Sequence, residues 1–296
     1  MLQFIQNKEE KMKADLDIRP SPIAGQWYSG DPGRLAQDVD RYIHEAKLPQ
    51  LKGDVVAIIT PHAGHIYSGP VAGYAFAALQ GLKPDIVAVV SPMHFPYREP
   101  LLTTAHEAYE TPLGIVLVDN EAVQSLNEAL ENELGYGLAR VRRDQEHSLE
   151  IELPFLQRAI GMEFKLLPVM VRDQSRRVTQ ALGECLAKIL RGRNAVLVAS
   201  TDLSHFYPQR IANELDREML HCIESFDPEE VIKVEEEGRG FACGRGALAA
   251  VLWAAKDLGA NAVKILNHAT SGDVTGDTSQ VVGYGAAVVL RQQVNP

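Results

Sequence analysis

Cysteine is scarce in this chain: 296 residues contain three, Cys185, Cys222 and Cys243, at unrelated spacings. Three scattered thiols exclude a disulfide framework and suit a reducing compartment. Long apolar runs are missing as well. None reaches the roughly 18 residues that a membrane helix requires, and the segment Met1–Leu16 is charged where a signal peptide would be apolar. The expected location is therefore the cytoplasm, with no membrane partner. Basic runs stop at Arg142-Arg143 and Arg176-Arg177, and the formal net charge is −10. Such a chain repels phosphate backbones, which argues against nucleic acid as a partner. The polar stretch Ser271–Ser279 lacks the lysine of a phosphate loop and reads as a flexible loop before the last strand. The acidic run Glu235-Glu236-Glu237 reads as solvated surface. There is no internal repeat, low-complexity tract or linker. The chain is read as a polar leader over 1–18 and a single domain over 19–296.

What is present is ordinary globular material, 46% hydrophobic and 23% charged, long enough for a large core. Short apolar runs of strand length occur at Val55–Thr60, Ile86–Ser91, Ile115–Val118, Phe164–Val171, Ala195–Ser200, Ala262–Leu266 and Val281–Leu290. Helical spacing predicts helices over about 32–47, 69–82, 120–134, 147–160, 174–191, 208–223 and 243–258. Asp31 before Pro32 is a good cap for the first of them. Near-continuous apolar strands alternating with helices predict an α/β fold with a mainly parallel sheet covered on both faces.

Three of the strongest strands end alike. Val55–Thr60 runs into Pro61-His62-Ala63-Gly64-His65, Ile86–Val90 into Ser91-Pro92-Met93-His94, and Ala195–Ser200 into Thr201-Asp202-Leu203-Ser204-His205. In open α/β sheets, ligands bind beyond the carboxyl ends of the strands. If these strands are parallel neighbours, His62, His94 and His205 share one crevice. A lone histidine after a strand is usually a cap or a solvent-facing residue; three at one topological position carry more weight. His44, His106, His221 and His268 lack this context and are left as surface or core residues. Glu146, His147 and Glu150 open a charged segment read as a helix start, where His147 and Glu150 share a face. His65, His147 and Glu150 are candidates for the pocket rim or for the residues behind its ligands. Cys243 lies among glycines and arginines just before an apolar helix, a setting expected to lower a thiol's pKa. Cys185 and Cys222 fall within predicted helices and read as small buried hydrophobes.

In order along the chain stand Ala24-Gly25-Gln26-Trp27-Tyr28, Pro61-His62-Ala63-Gly64, Ser91-Pro92-Met93-His94, Asp144-Gln145-Glu146-His147-Ser148-Leu149-Glu150, Ser200-Thr201-Asp202-Leu203-Ser204-His205 and Cys243-Gly244-Arg245. Each string alone is weak, but the ordered set resembles the Memo family, whose microbial members are called AmmeMemoRadiSam system protein B. The likeness runs from about residue 19 to the end. It implies the fold of class III extradiol dioxygenases, a three-layer α/β/α sandwich around a mixed, mostly parallel sheet. By that resemblance His62 and His94 match two metal ligands, His205 matches an acid/base histidine, and Cys243 stands where those enzymes have a carboxylate ligand; in an enzyme, Asp202 is expected to orient His205. Thiolate in place of carboxylate favours softer ions, so iron or copper is expected, with zinc as the alternative, and ring cleavage does not simply carry over.

Three functions compete. One is a metal-dependent redox enzyme of the dioxygenase type acting on an unidentified small molecule. Another is an adaptor that uses a vestigial pocket for a peptide or small ligand. The last is a thiol enzyme with Cys243 as nucleophile, which leaves two strand-end histidines unexplained. The resemblance also implies a link to AMMECR-type and radical SAM proteins, and a homodimer is common for such folds.

Overall fold

The structure, a computed structural model, describes residues 16–293. Most of the leader read over 1–18 thus lies outside the described residues. Asp17, at its end, is tied to the body: its carboxylate meets His106 Nδ1 at 2.8 Å and also Arg142.

The strands in chain order are β1 (Ile18–Arg19), β2 (Asp54–Thr60), β3 (Ile86–Pro92), β4 (Leu101–Thr104), β5 (Ala108–Thr111), β6 (Gly114–Leu117), β7 (Ala139–Val141), β8 (Lys165–Val171), β9 (Ala195–Ser200), β10 (His205–Tyr207), β11 (Ala262–Thr270) and β12 (Val281–Arg291). The helices are α1 (Pro32–Glu45), α2 (His65–Ala77), α3 (Asn120–Leu134), α4 (Leu153–Ala159), α5 (Arg176–Leu190), α6 (Gln209–Glu224), α7 (Pro228–Glu236), α8 (Arg245–Asp257) and α9 (Ser271–Thr275).

Among the described residues, the main sheet runs β10-β12-β2-β9-β3-β8-β4-β7, with β11 also paired to β12. Its centre, β2-β9-β3-β8, is parallel. Strand β12 is antiparallel to β2, β10 and β11, and β4 is antiparallel to β8. The sheet is therefore mixed, parallel where the apolar runs are longest. Alternate residues of a strand face opposite ways, and every residue of β3 is buried, so both faces are covered. Helix α2 packs on β2, β11 and β12, and α8 on β2, β3, β8 and β9. The architecture is a helix–sheet–helix sandwich. The run at Ile115–Val118 belongs instead to a separate small sheet, β1-β5-β6. No helix of the described residues is long and apolar enough to cross a membrane.

The sequence explains the element boundaries locally. Asp31 caps α1 by accepting from Arg34 N at 2.7 Å, with Pro32 in the first turn. The helix read over 147–160 does not begin until Leu153, after a 3₁₀ turn at Glu150–Glu152. Pro154 dictates this: deep inside a helix its ring would clash with the preceding turn, whereas the first turn accommodates it. The supposed shared helical face of His147 and Glu150 therefore does not exist. The Ser271–Ser279 stretch is not all loop. Thr270 and Asp273 form a reciprocal capping box that starts α9.

Candidate metal centre

The three strand ends lie side by side because β9 pairs with both β2 and β3 in parallel, Thr60 opposite Ser200 and Val90 opposite Ala199. Neighbouring strands sit about 4.8 Å apart, so the residues that follow them enter one crevice. Cys243 arrives from elsewhere, on the segment leading into α8. Gly244 permits the approach, since a Cβ there would stand 2.5 Å from the Ser200 carbonyl oxygen. His62, His94 and Cys243 each offer one ligand atom, all within 4.8 Å of one another. The Cys243 thiol faces His62 Nε2 at 3.1 Å.

Hydrogen bonds behind the two histidines define which nitrogen each presents. His94 Nδ1 lies 2.9 Å from Glu146 Oε1. An ionised carboxylate only accepts, so Nδ1 donates and Nε2 is the nitrogen that faces the crevice for a metal. Burial pushes the Glu146 carboxyl up, but the His94 hydrogen bond, the nearby His94 and His147 and the Ser148 N–H outweigh it and bring the pKa down to about 2. His62 Nδ1 lies 2.9 Å from Ser200 Oγ, whose hydroxyl also reaches Glu152 Oε1 at 2.7 Å and Ser148 O at 2.6 Å. One hydroxyl carries one proton; given to the Ser148 carbonyl, which only accepts, it leaves Ser200 Oγ to accept from His62 Nδ1–H. Burial, reinforced by His147, His94 and His205, holds His62 well below the usual imidazole range. Two imidazoles, each anchored through Nδ1 and presenting Nε2, beside a thiol, are the donor set a soft or borderline metal takes. The residues fit the ion that the resemblance implies.

Other expected site residues fall in different places. His147 forms the wall: its ring stacks on His94 with centroids 4.7 Å apart, lies 4.1 Å from Trp27, and meets His62 edge-on at 5.5 Å. Burial lowers it to about 4. Glu150 is buried away from the ligands against Arg19, Ser21 and Tyr28. His65 donates from Nε2 to Ile151 O at 3.1 Å and packs between Tyr28 and Phe155 rather than among the ligands. His205 stands outside the ligand trio, its Nδ1 donating to Leu203 O at 2.8 Å. Next to it Phe206 takes φ +62°, a conformation that a bulky residue holds only under constraint.

Two expectations need correction. Asp202 does not orient His205. Its carboxylate instead accepts the His62 N–H at 2.7 Å, while His205 is held by the Leu203 carbonyl. Burial raises that carboxyl to about 7. The Cys243 thiol is pushed up rather than down, by burial and then by Asp202. The nearby arginines do not reach it: Arg245 pairs with Glu235, and Arg239 with Glu237 and Glu218. Glu235 is thus no solvated surface residue. Cys185 and Cys222 are buried within α5 and α6, as read from the sequence.

A groove of about 880 Å³ opens alongside, lined by Trp27, Tyr67 and Phe206 among others, but by none of the three ligands.

Comparison with known proteins identifies the family. Residues 19–288 match the family described as Memo-like protein. The chain is 37% identical over 273 residues to a MEMO1 family protein of Nitrosopumilus maritimus, covering 91% of this chain and 98% of that one. A MEMO1 family protein of Thermotoga neapolitana is 35% identical over 283 residues, with 92% and 99% covered. One from Methanococcoides burtonii is 34% identical over 274 residues, with 92% and 100% covered. A crystal structure of an uncharacterized protein from Escherichia coli K12 aligns with TM-score 0.48 and 15% identity, over 79% of this chain and 100% of that chain. Matched along nearly its whole length by relatives above 30% identity, the chain belongs to the Memo family.

Proposed function

We propose that this protein is a metal-dependent redox enzyme in which His62, His94 and Cys243 hold iron or copper. The observation that carries the reading is the convergence of those three donors within 4.8 Å, each imidazole anchored through Nδ1. When bound there, such an ion supplies one-electron chemistry and open positions for oxygen and a small substrate. Asp202 holds the loop that carries His62 through its backbone N–H and gives its own N–H to the Cys243 sulfur at 3.3 Å. His205, fixed through Nδ1 by the Leu203 carbonyl, presents Nε2 as the proton donor or acceptor. The rings of His147 and Trp27 form one wall beside the ligands.

The test is oxygen uptake by iron- or copper-loaded protein across a panel of reducing small molecules. Uptake that chelation abolishes, that Cys243→Ala loses, and that His205→Ala lowers by about 10²–10⁴ supports the reading. A fully loaded protein that consumes no oxygen with any of them contradicts it. One observation favours a second reading, an adaptor. The groove lined by Trp27, Tyr67 and Phe206 excludes the ligand trio, so peptide or small-ligand binding there would survive chelation.

A further inference from the structure

Resting on the metal reading above, we propose that Arg19 is a positioning residue of the centre: it clamps the segment 144–150 so that Glu146 locks His94 with Nε2 free for a metal. Arg19 belongs to the two-residue strand β1 and is 1% exposed. Its guanidinium serves the segment at both ends and in the middle. Nε and Nη2 form a fork on the Asp144 carboxylate at 3.0 and 2.8 Å, Nη2 also reaches Glu146 O at 2.9 Å, and Nη1 pairs with Glu150. Only a planar five-donor group satisfies these acceptors together. No helix or strand shapes residues 142–149, so this clamp and the acceptors within the segment define its course.

The Glu146 carboxylate is the product of that course. It accepts from His147 N and Ser148 N at 3.0 Å each, and from His94 N at 2.6 Å and His94 Nδ1 at 2.9 Å. Its own N–H donates to Asp144 Oδ1 at 3.2 Å, the oxygen that Arg19 holds. Distortion of the segment withdraws the acceptor from His94. That ring is 34% exposed, so a freed imidazole is able to rotate or exchange its tautomer with water. The chain of contacts runs Arg19, Asp144, Glu146, His94, and Arg19 itself touches no ligand.

The experiment uses metal-free wild type, Arg19→Lys and Asp144→Asn, each checked for folding by circular dichroism. Long-range proton–nitrogen spectra of ¹⁵N-histidine protein report the His94 tautomer, its signals assigned by their loss in His94→Gln. Zinc titration of the same samples reports affinity. The expected result is an Nδ1–H tautomer in wild type, a mixture in both variants, and zinc affinity lowered about 10–100-fold. Folded variants that keep the wild-type tautomer and affinity overturn the positioning role, because a merely structural arginine would alter melting alone. Lysine retains a cation between the buried carboxylates; should Arg19→Lys fail to fold, Asp144→Asn decides. Wild type that binds neither zinc nor, in parallel titrations, ferrous iron or copper(I) overturns the metal reading, while the tautomer comparison still decides the role of Arg19.

Discussion

Ser200 takes the Nδ1–H of His62, and Glu146 takes that of His94. Removing the first support by Ser200→Ala is expected to lower zinc affinity about tenfold, the usual size of such losses, as read by calorimetry on the folded variant. Gly244→Ala should be worse: its Cβ would meet the Ser200 carbonyl oxygen at 2.5 Å. The expected cost is about 1–3 kcal/mol, with metal binding lost because Cys243 is displaced. His65 gives the chain an acid sensitivity. Burial lowers it to about 4 from an ordinary 6.5, and its Nδ1 has no hydrogen-bond partner among the described residues. The folded state holds it neutral, so the stability it contributes is complete above pH 6.5 and is lost as the pH falls toward 4. The slope is about 1.4 kcal/mol per pH unit. Urea melts of wild type and His65→Gln between pH 7 and 5 check this: the variant should lose less, and parallel curves would refute the assignment. The histidines that follow strands were legible because strand ends are legible. Glu146 and Ser200 were not, because each acts through a bond to a residue more than 50 positions away. The Cys243 thiol is pushed up because it is buried beside Asp202, while the arginines next to it in sequence are engaged by glutamates that sequence proximity does not reveal.

Helices and the longer strands were placed well wherever an apolar stripe coincided with a cap. Helix α3 falls on residues 120–134 as read, between the Asp119 cap and the left-handed Gly135. Helix α7 was hidden in an acidic run, although Asp227-Pro228 marks its start and Val231, Ile232 and Val234 its buried face. Strands β4, β5 and β7, three or four residues each, are too short for periodicity to register, whereas the apolar run Ile115–Val118 marks β6. Contacts between elements follow from small residues. Helices α1 and α2 touch where Gly73 meets Tyr42, a Cβ there standing 2.3 Å from the Tyr42 carbonyl oxygen. Gly73→Ala is therefore expected to destabilise by about 1–3 kcal/mol through overpacking. Chemical denaturation should show the loss with zinc stoichiometry unchanged, since neither helix supplies a ligand. A variant as stable as wild type would mean that the helices separate without cost.

For the whole molecule, strand order matters most. The notion that three strand ends share a crevice came from their sequence; that β9 lies between β2 and β3 did not, because pairing is a long-range property. That order turns three dispersed motifs into one centre, and the segment leading into α8 adds the thiol. A ligand that binds only the folded chain stabilises it by about 2.7 kcal/mol at a hundredfold excess over Kd. For a chain of this size that corresponds to a melting shift of roughly 4–5 °C. The most direct test of the central claim is the metal content of untagged protein purified under nitrogen, measured by mass spectrometry beside His62→Ala and Cys243→Ala. The account predicts near-stoichiometric iron or copper in wild type and its loss from both variants. Wild type that holds no metal, even after reconstitution, would contradict it.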